Sequence, residues 1–153
     1  MQKQVDLMQM ADWVNMLAPW EVFATGTFRD RVRHQGTFNE RRYGKSLYGA
    51  DKAWRRTLST DLNKCSCFYA LEPNPSRDGY HVHALLADCG EVWFKDVWQS
   101  WFERHGRFHS EPVLRYDDVS RYLSKYVLKK LSWWNVKLMP HRFHALHQKP
   151  LNL

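Results

Sequence analysis

The polarity pattern is most informative between residues 67 and 86. Cys67-Phe68-Tyr69-Ala70-Leu71-Glu72 is an apolar run closed by a carboxylate, and Tyr80-His81-Val82-His83-Ala84-Leu85-Leu86 is a second apolar run carrying two histidines. Residues 73 to 79 between them, from Pro73 to Gly79, are turn formers, so the two runs read as an antiparallel hairpin. Upstream, Leu7, Met10, Ala11, Val14 and Leu17 recur at helical spacing ahead of Pro19, which predicts a helix over residues 3–17. Residues 20–28 alternate as a strand, with Phe23, Thr25 and Thr27 on one face and Val22, Ala24, Gly26 and Phe28 on the other. Gly26 inside it predicts a bulge or a close backbone approach.

Ser46 can cap a helix running to about Leu62, with Leu47, Ala50, Trp54 and Leu58 inward and Arg55 and Arg56 outward. Residues 92–104 form a further amphipathic helix, whose Trp93, Phe94, Val97, Trp98, Trp101 and Phe102 are expected in the core. A strand follows over about 107–115, then a helix capped by Asp117 or Asp118 and ending near Lys130; residues 131–153 are a tail whose structure the pattern leaves open. The order is βαββαβ after the first helix. It predicts an α+β fold with a ferredoxin-like core, a mainly antiparallel sheet with helices packed on it, in one domain with its core at about residues 20–130. That arrangement serves many functions, so function must come from the side chains.

Period-two alternation places His81 and His83 on one strand face. If Glu72 lies opposite His81, Ala70 falls opposite His83 and the carboxylate joins the imidazoles. Two neutral imidazoles and a carboxylate form a facial set suited to a divalent ion with open positions.

The last helix holds a second constellation. Val119, Leu123, Val127 and Leu131 give a stripe for the sheet, Tyr122 and Tyr126 lie one above the other beside it, and Lys125 and Lys129 lie beyond the tyrosines. A tyrosine held between a core stripe and a cationic edge is placed to meet a phosphodiester. A phenol with an ordinary pKa near 10 needs a strongly polarised target, which a metal-bound phosphate provides.

Charge and aromatic content agree with a nucleic-acid partner. The 153-residue chain carries a net charge of +7 and 15% aromatic residues, and the charge points to an anionic partner, nucleic acid or a membrane surface, without choosing between them. Arg29, Arg31, Arg33, Arg41, Arg42 and Lys45 form a cationic loop or irregular hairpin, the expected contact with the DNA backbone. Trp133 and Trp134, beside Lys129 and Lys130, could stack bases. Cys65, Cys67 and Cys89 lack zinc-ribbon spacing and read as reduced and structural. His141, His144 and His147 have no cysteine or carboxylate to complete a metal set and read as a solvated basic tail. With neither a membrane-length apolar window nor the apolar core of a signal peptide, the chain is expected to be intracellular, without a membrane partner.

On these residues the sequence resembles the HUH endonucleases of rolling-circle replication and single-strand transposition. The resemblance rests on His81-Val82-His83 and on Tyr122-Leu123-Ser124-Lys125-Tyr126-Val127-Leu128-Lys129, and more loosely on Phe23-Ala24-Thr25-Gly26-Thr27-Phe28. Tyrosines that follow the histidines, each with a lysine three residues on, look like the two-tyrosine replication initiators of phages and plasmids. The resemblance implies Mg2+ or Mn2+ on His81 and His83, with Glu72 as third ligand. It implies attack by Tyr122 or Tyr126 on single-stranded DNA or an origin hairpin, a 5′-phosphotyrosine intermediate, and phosphate positioning by Lys125 and Lys129. No Walker-type loop or helicase domain is present, so the chain would depend on a host helicase and polymerase or be an excised nuclease domain. A transposase of the same superfamily and a non-catalytic single-strand-binding module are the competing expectations.

Overall fold

The computed structural model describes residues 2–29, 32–34, 37–39, 43–122 and 133–142. Helix α1 (Gln2–Leu17) leads into strand β1 (Val22–Gly26), and a small antiparallel hairpin, β2 (Val32–His34) with β3 (Thr37–Asn39), follows. A 3₁₀ turn at Tyr43–Lys45 precedes helix α2 (Leu47–Ser59); the large hairpin is β4 (Ser66–Pro73) and β5 (Tyr80–Ala87). Helix α3 (Phe94–Arg104), strand β6 (Phe108–Pro112), helix α4 (Tyr116–Tyr122) and strand β7 (Trp133–Lys137) complete the order.

Five strands form one antiparallel sheet in the order β6-β1-β5-β4-β7. The first four have the order and direction of a ferredoxin-like core, as the βαββαβ pattern predicts. The fifth, β7, falls in the stretch whose structure the pattern left open. It adds to β4, and Lys137 on it donates to the carbonyls of Leu58, Leu62 and Asn63 at 2.8, 3.4 and 3.1 Å, a cation closing the C-terminal end of α2. No helix of the described residues is long and apolar enough to cross a membrane.

Both sheet faces are covered, and the alternation along β4 and β5 decides which side chain goes where. Cys67, Tyr69, Leu71, Val82, Ala84 and Leu86 pack with Ala50, Trp54, Leu58, Val97 and Trp101 of α2 and α3. Phe68, Ala70, Leu85 and Ala87 pack with Ala11, Val14, Leu17, Val119 and Tyr122 of α1 and α4. Helix α2 starts where expected: Ser46 Oγ accepts from the Gly49 amide at 3.0 Å, and Ala50, Trp54 and Leu58 are buried.

Three expectations need correction. Helix α3 does not bury all its aromatics: Trp101 is 2% exposed, but Trp93, Trp98 and Phe102 are 68%, 46% and 44% exposed. An eleven-residue helix lying on a sheet covers one stripe, here Val97 and Trp101, and Trp98 and Phe102 fall outside it. Helix α4 begins at Tyr116, ahead of Asp117 and Asp118, so neither is an N-cap; Asp118 Oδ2 instead accepts from the Leu114 and Arg115 amides of the preceding turn at 3.2 and 3.0 Å. Gly26 marks the approach of a side chain rather than a backbone, since a Cβ there would lie 2.8 Å from the Trp101 indole.

Buried His105 sets an acid limit on this half of the core. It is 6% exposed and packs on Trp101 at 4.5 Å between ring centroids. Burial first, and then Arg104, Arg56 and Arg29, push its pKa down to about 4 from the usual 6.5. The folded state binds this proton less well than the unfolded chain, so the stabilisation is complete above pH 6.5 and is lost as pH falls from there to about 4. Allowing for solvent screening it amounts to on the order of 2 kcal/mol. In urea titrations at pH 7 and pH 4.5, His105→Gln is expected to lose that much less stability on acidification than the parent; equal losses would contradict it.

Candidate metal centre

The metal-ligand candidates sit where the large hairpin opens. In its register Glu72 pairs with His81 and Ala70 with His83, the alignment that places Glu72 and both histidines on one face. That face is the α1/α4 side of the sheet. His81 Nε2 and His83 Nε2 each lie 3.3 Å from Glu72 Oε2, and one donor atom from each of the three residues lies within 4.8 Å of the others. Glu72 and His83 are buried, 6% and 7% exposed, so a cation between them would exchange few interactions with bulk water.

The other imidazole nitrogens are held by residues that the sequence pattern did not single out as site residues. Asn74 Nδ2 donates to the Asp78 carbonyl at 3.2 Å, which turns Asn74 Oδ1 towards His81 Nδ1, 3.0 Å away. A carbonyl oxygen only accepts, so His81 Nδ1 donates to Asn74 and Nε2 is the ring atom turned to Glu72. His83 Nδ1 lies 3.1 Å from Thr25 Oγ1 on neighbouring β1, where Thr25 pairs with His83 in the ladder. An outer hydrogen bond that fixes tautomer and ring orientation is the usual support of a metal-binding histidine. Nε2 of both histidines and Oε2 of Glu72 converge, and this donor set fits a divalent ion.

The turn that positions Asn74 depends on Gly79. Its φ is +98°, a Cβ there would lie 2.6 Å from the Gly44 carbonyl oxygen, and the Asn74 amide donates to the Gly79 carbonyl at 2.8 Å.

Tyr122, at the end of α4 as described, is brought to the same place. Its ring lies 6.3 Å from the His83 ring, edge to face, and 5.3 Å from Phe23. It is 4% exposed and lines a cleft of about 400 Å³ together with His83, Thr25, Phe23, Glu111, Asp118 and Arg121. Tyr126, Lys125 and Lys129 lie outside the described residues, as do Arg31, Arg41 and Arg42. Of the remaining cationic residues, Arg33 is on β2, Lys45 is exposed in the 3₁₀ turn, and Arg29 is exposed with its guanidinium 4.8 Å from the Phe102 ring centroid.

The other sequence candidates are drawn elsewhere. Trp134 stacks on Phe68 at 5.6 Å and meets Trp13 edge-on at 5.7 Å, while Trp133 lies 6.0 Å from Tyr69; both remain partly exposed. His141 Nε2 lies 3.4 Å from Asp88 Oδ1, the carboxylate that also binds Arg142 and Ser66. Cys65, Cys67 and Cys89 are buried free thiols.

If the outer hydrogen bonds hold the ligands, Thr25→Val, which keeps the shape and removes the hydroxyl, is expected to weaken divalent-metal binding by about 10- to 100-fold. Calorimetric titration with Mn2+ checks this; unchanged affinity would remove Thr25 from the site.

No protein-family model matches the sequence, and no curated protein matches it. Among solved structures the chain is similar to the N-terminal nuclease domain of the non-structural protein 1 of minute virus of mice, described as having a unique Zn2+ coordination in its active-site pocket and a novel mode of DNA recognition at the origin of replication. Identity is 14%, the match covers 92% of this chain and 67% of that one, and the TM-score is 0.31. A likeness that slight has no bearing on the chemistry.

Proposed function

We propose that the chain is a metal-dependent single-stranded DNA endonuclease and strand transferase of the HUH type, acting at the initiation of rolling-circle replication. One observation carries the reading: the convergence of His81, His83 and Glu72 on one point, with the Tyr122 ring packed against His83. A divalent ion held there, Mg2+ or Mn2+, supplies Lewis-acid polarisation of the scissile phosphate and fixes its position. Tyr122 is the nucleophile. Its phenolic oxygen forms a bond to phosphorus as the bond to the 3′ oxygen breaks; the phenolic proton is lost, and the departing strand takes up a proton as a free 3′-hydroxyl. A 5′-phosphotyrosine link conserves the bond energy, so a later 3′-hydroxyl reseals the strand by the reverse attack.

Tyr126 provides a second nucleophile for a second transfer, and Lys125 and Lys129 position the phosphate. Arg29, Arg31, Arg33, Arg41, Arg42 and Lys45 bind the DNA backbone, which accounts for most sequence-independent affinity. A host helicase and polymerase would complete replication.

The test is incubation of the protein with labelled, hairpin-bearing single-stranded oligonucleotides and Mn2+, with a chelator control, followed by denaturing electrophoresis. Metal-dependent cleavage with a protein-linked product is expected. Binding with no cleavage and no adduct across a broad sequence pool would leave a binding module without catalysis and overturn the proposal.

A further inference from the structure

Trp98 and Phe102 lie one helical turn apart on the outward side of α3, stacked nearly parallel at 8° with ring centroids 5.3 Å apart. Both are more than two-fifths exposed, although packing on the sheet uses only the other side of this helix. Large aromatics left exposed together mark a contact surface more often than a packing accident.

A cationic group caps this surface. Arg29 places its guanidinium over the Phe102 ring, 4.8 Å from the centroid. Among the described residues Arg29 forms no ion pair with a carboxylate, in contrast to Arg55, bound to Asp51, and Arg142, bound to Asp88. A guanidinium in that state, next to flat aromatic faces, complements a ligand that has both phosphates and flat rings. An unpaired nucleic-acid strand has both; a duplex keeps its ring faces stacked internally.

The position is coherent with the proposed nick. Arg29 lies three residues past the end of β1, four past Thr25, and its amide donates to the His105 carbonyl at 2.7 Å. The surface is therefore at the same end of the sheet as His81 and His83, but on the α2/α3 side. A strand leaving the metal centre would reach it by passing round the edge strand β6.

We infer that the outward face of α3 is a second DNA-contacting surface, on which Trp98 and Phe102 stack an unpaired base while Arg29 binds its phosphate. The choice of DNA over RNA rests on the nicking proposal; the stacking surface does not.

Fluorescence anisotropy with labelled single-stranded and duplex oligodeoxynucleotides tests it. Trp98→Ala is expected to weaken single-strand binding about tenfold and duplex binding hardly at all. Trp98→Phe, which keeps a stacking face, restores binding to within about twofold of the parent. An Arg29→Gln variant, altered at an exposed group, lowers the salt dependence of single-strand binding by about 0.7 for the phosphate no longer neutralised. Unchanged single-strand affinity in Trp98→Ala and in the arginine variant would overturn the inference and leave a protein as the occupant of this face; equal losses for both DNA forms would also overturn it. The two proposals fail separately: Trp98-dependent binding without any covalent adduct removes only the nicking reading, and adduct formation with Trp98-independent binding removes only this one.

Discussion

Alanine at His83 is expected to slow metal-dependent DNA nicking by on the order of 10³-fold or more, while single-strand affinity stays within a few-fold of the parent. Loss of one of three candidate ligands would remove the proposed ion and with it several kcal/mol of transition-state charge stabilisation, each 1.36 kcal/mol being worth about tenfold in rate. Binding persists because phosphate contacts from arginine and lysine elsewhere provide the non-specific affinity. His83 is the most informative position, since its Nε2 faces Glu72 and its ring also meets Tyr122. His81→Ala and Glu72→Gln are expected to behave alike. Single-turnover cleavage rates beside anisotropy measurements check the division, and a parallel fall of binding and cleavage in all three variants would contradict it.

Phenylalanine at Tyr122 is expected to have the second large effect, removing the covalent step proposed for this tyrosine while leaving metal affinity unchanged. The substitution deletes one oxygen and preserves the ring that packs on Phe23 and His83, so the fold is spared. Removing a nucleophile outright commonly costs many orders of magnitude in rate. Any adduct that persists should then reside on Tyr126, and the double variant Tyr122→Phe, Tyr126→Phe should form none. Parental cleavage by the double variant would exclude tyrosine chemistry.

The clustering of Glu72, His81 and His83 was legible in the sequence because strand alternation and turn length decide it. Alternation along β5 forces His81 and His83 to one face, and the short turn from Pro73 to Gly79 limits the hairpin registers, of which the observed one pairs Glu72 with His81. The start of α2 was legible for a local reason, the Ser46 cap. What escaped depends on neighbours distant in sequence. The Thr25 face of β1 was readable, but its hydrogen bond to His83 joins residues 58 positions apart and exists only because β1 lies beside β5. Asn74 reads as an ordinary turn residue until its amide orientation is known. Helix α3 is aromatic on both sides, so periodicity predicts the helix without predicting which aromatics face the sheet. Strand β7 has no alternating pattern of its own and takes its conformation from pairing with β4.

If the Glu72, His81 and His83 centre directs a tyrosine to a DNA phosphodiester, the DNA ends up covalently bound to that tyrosine. The most direct measurement is peptide mapping by mass spectrometry of the covalent product formed with single-stranded DNA and Mn2+. The expected product is a nucleotide linked through phosphate to Tyr122 or Tyr126, absent when His83 is alanine or the metal is chelated. An adduct on any other residue, or one that forms equally well in the His83→Ala protein, would contradict it.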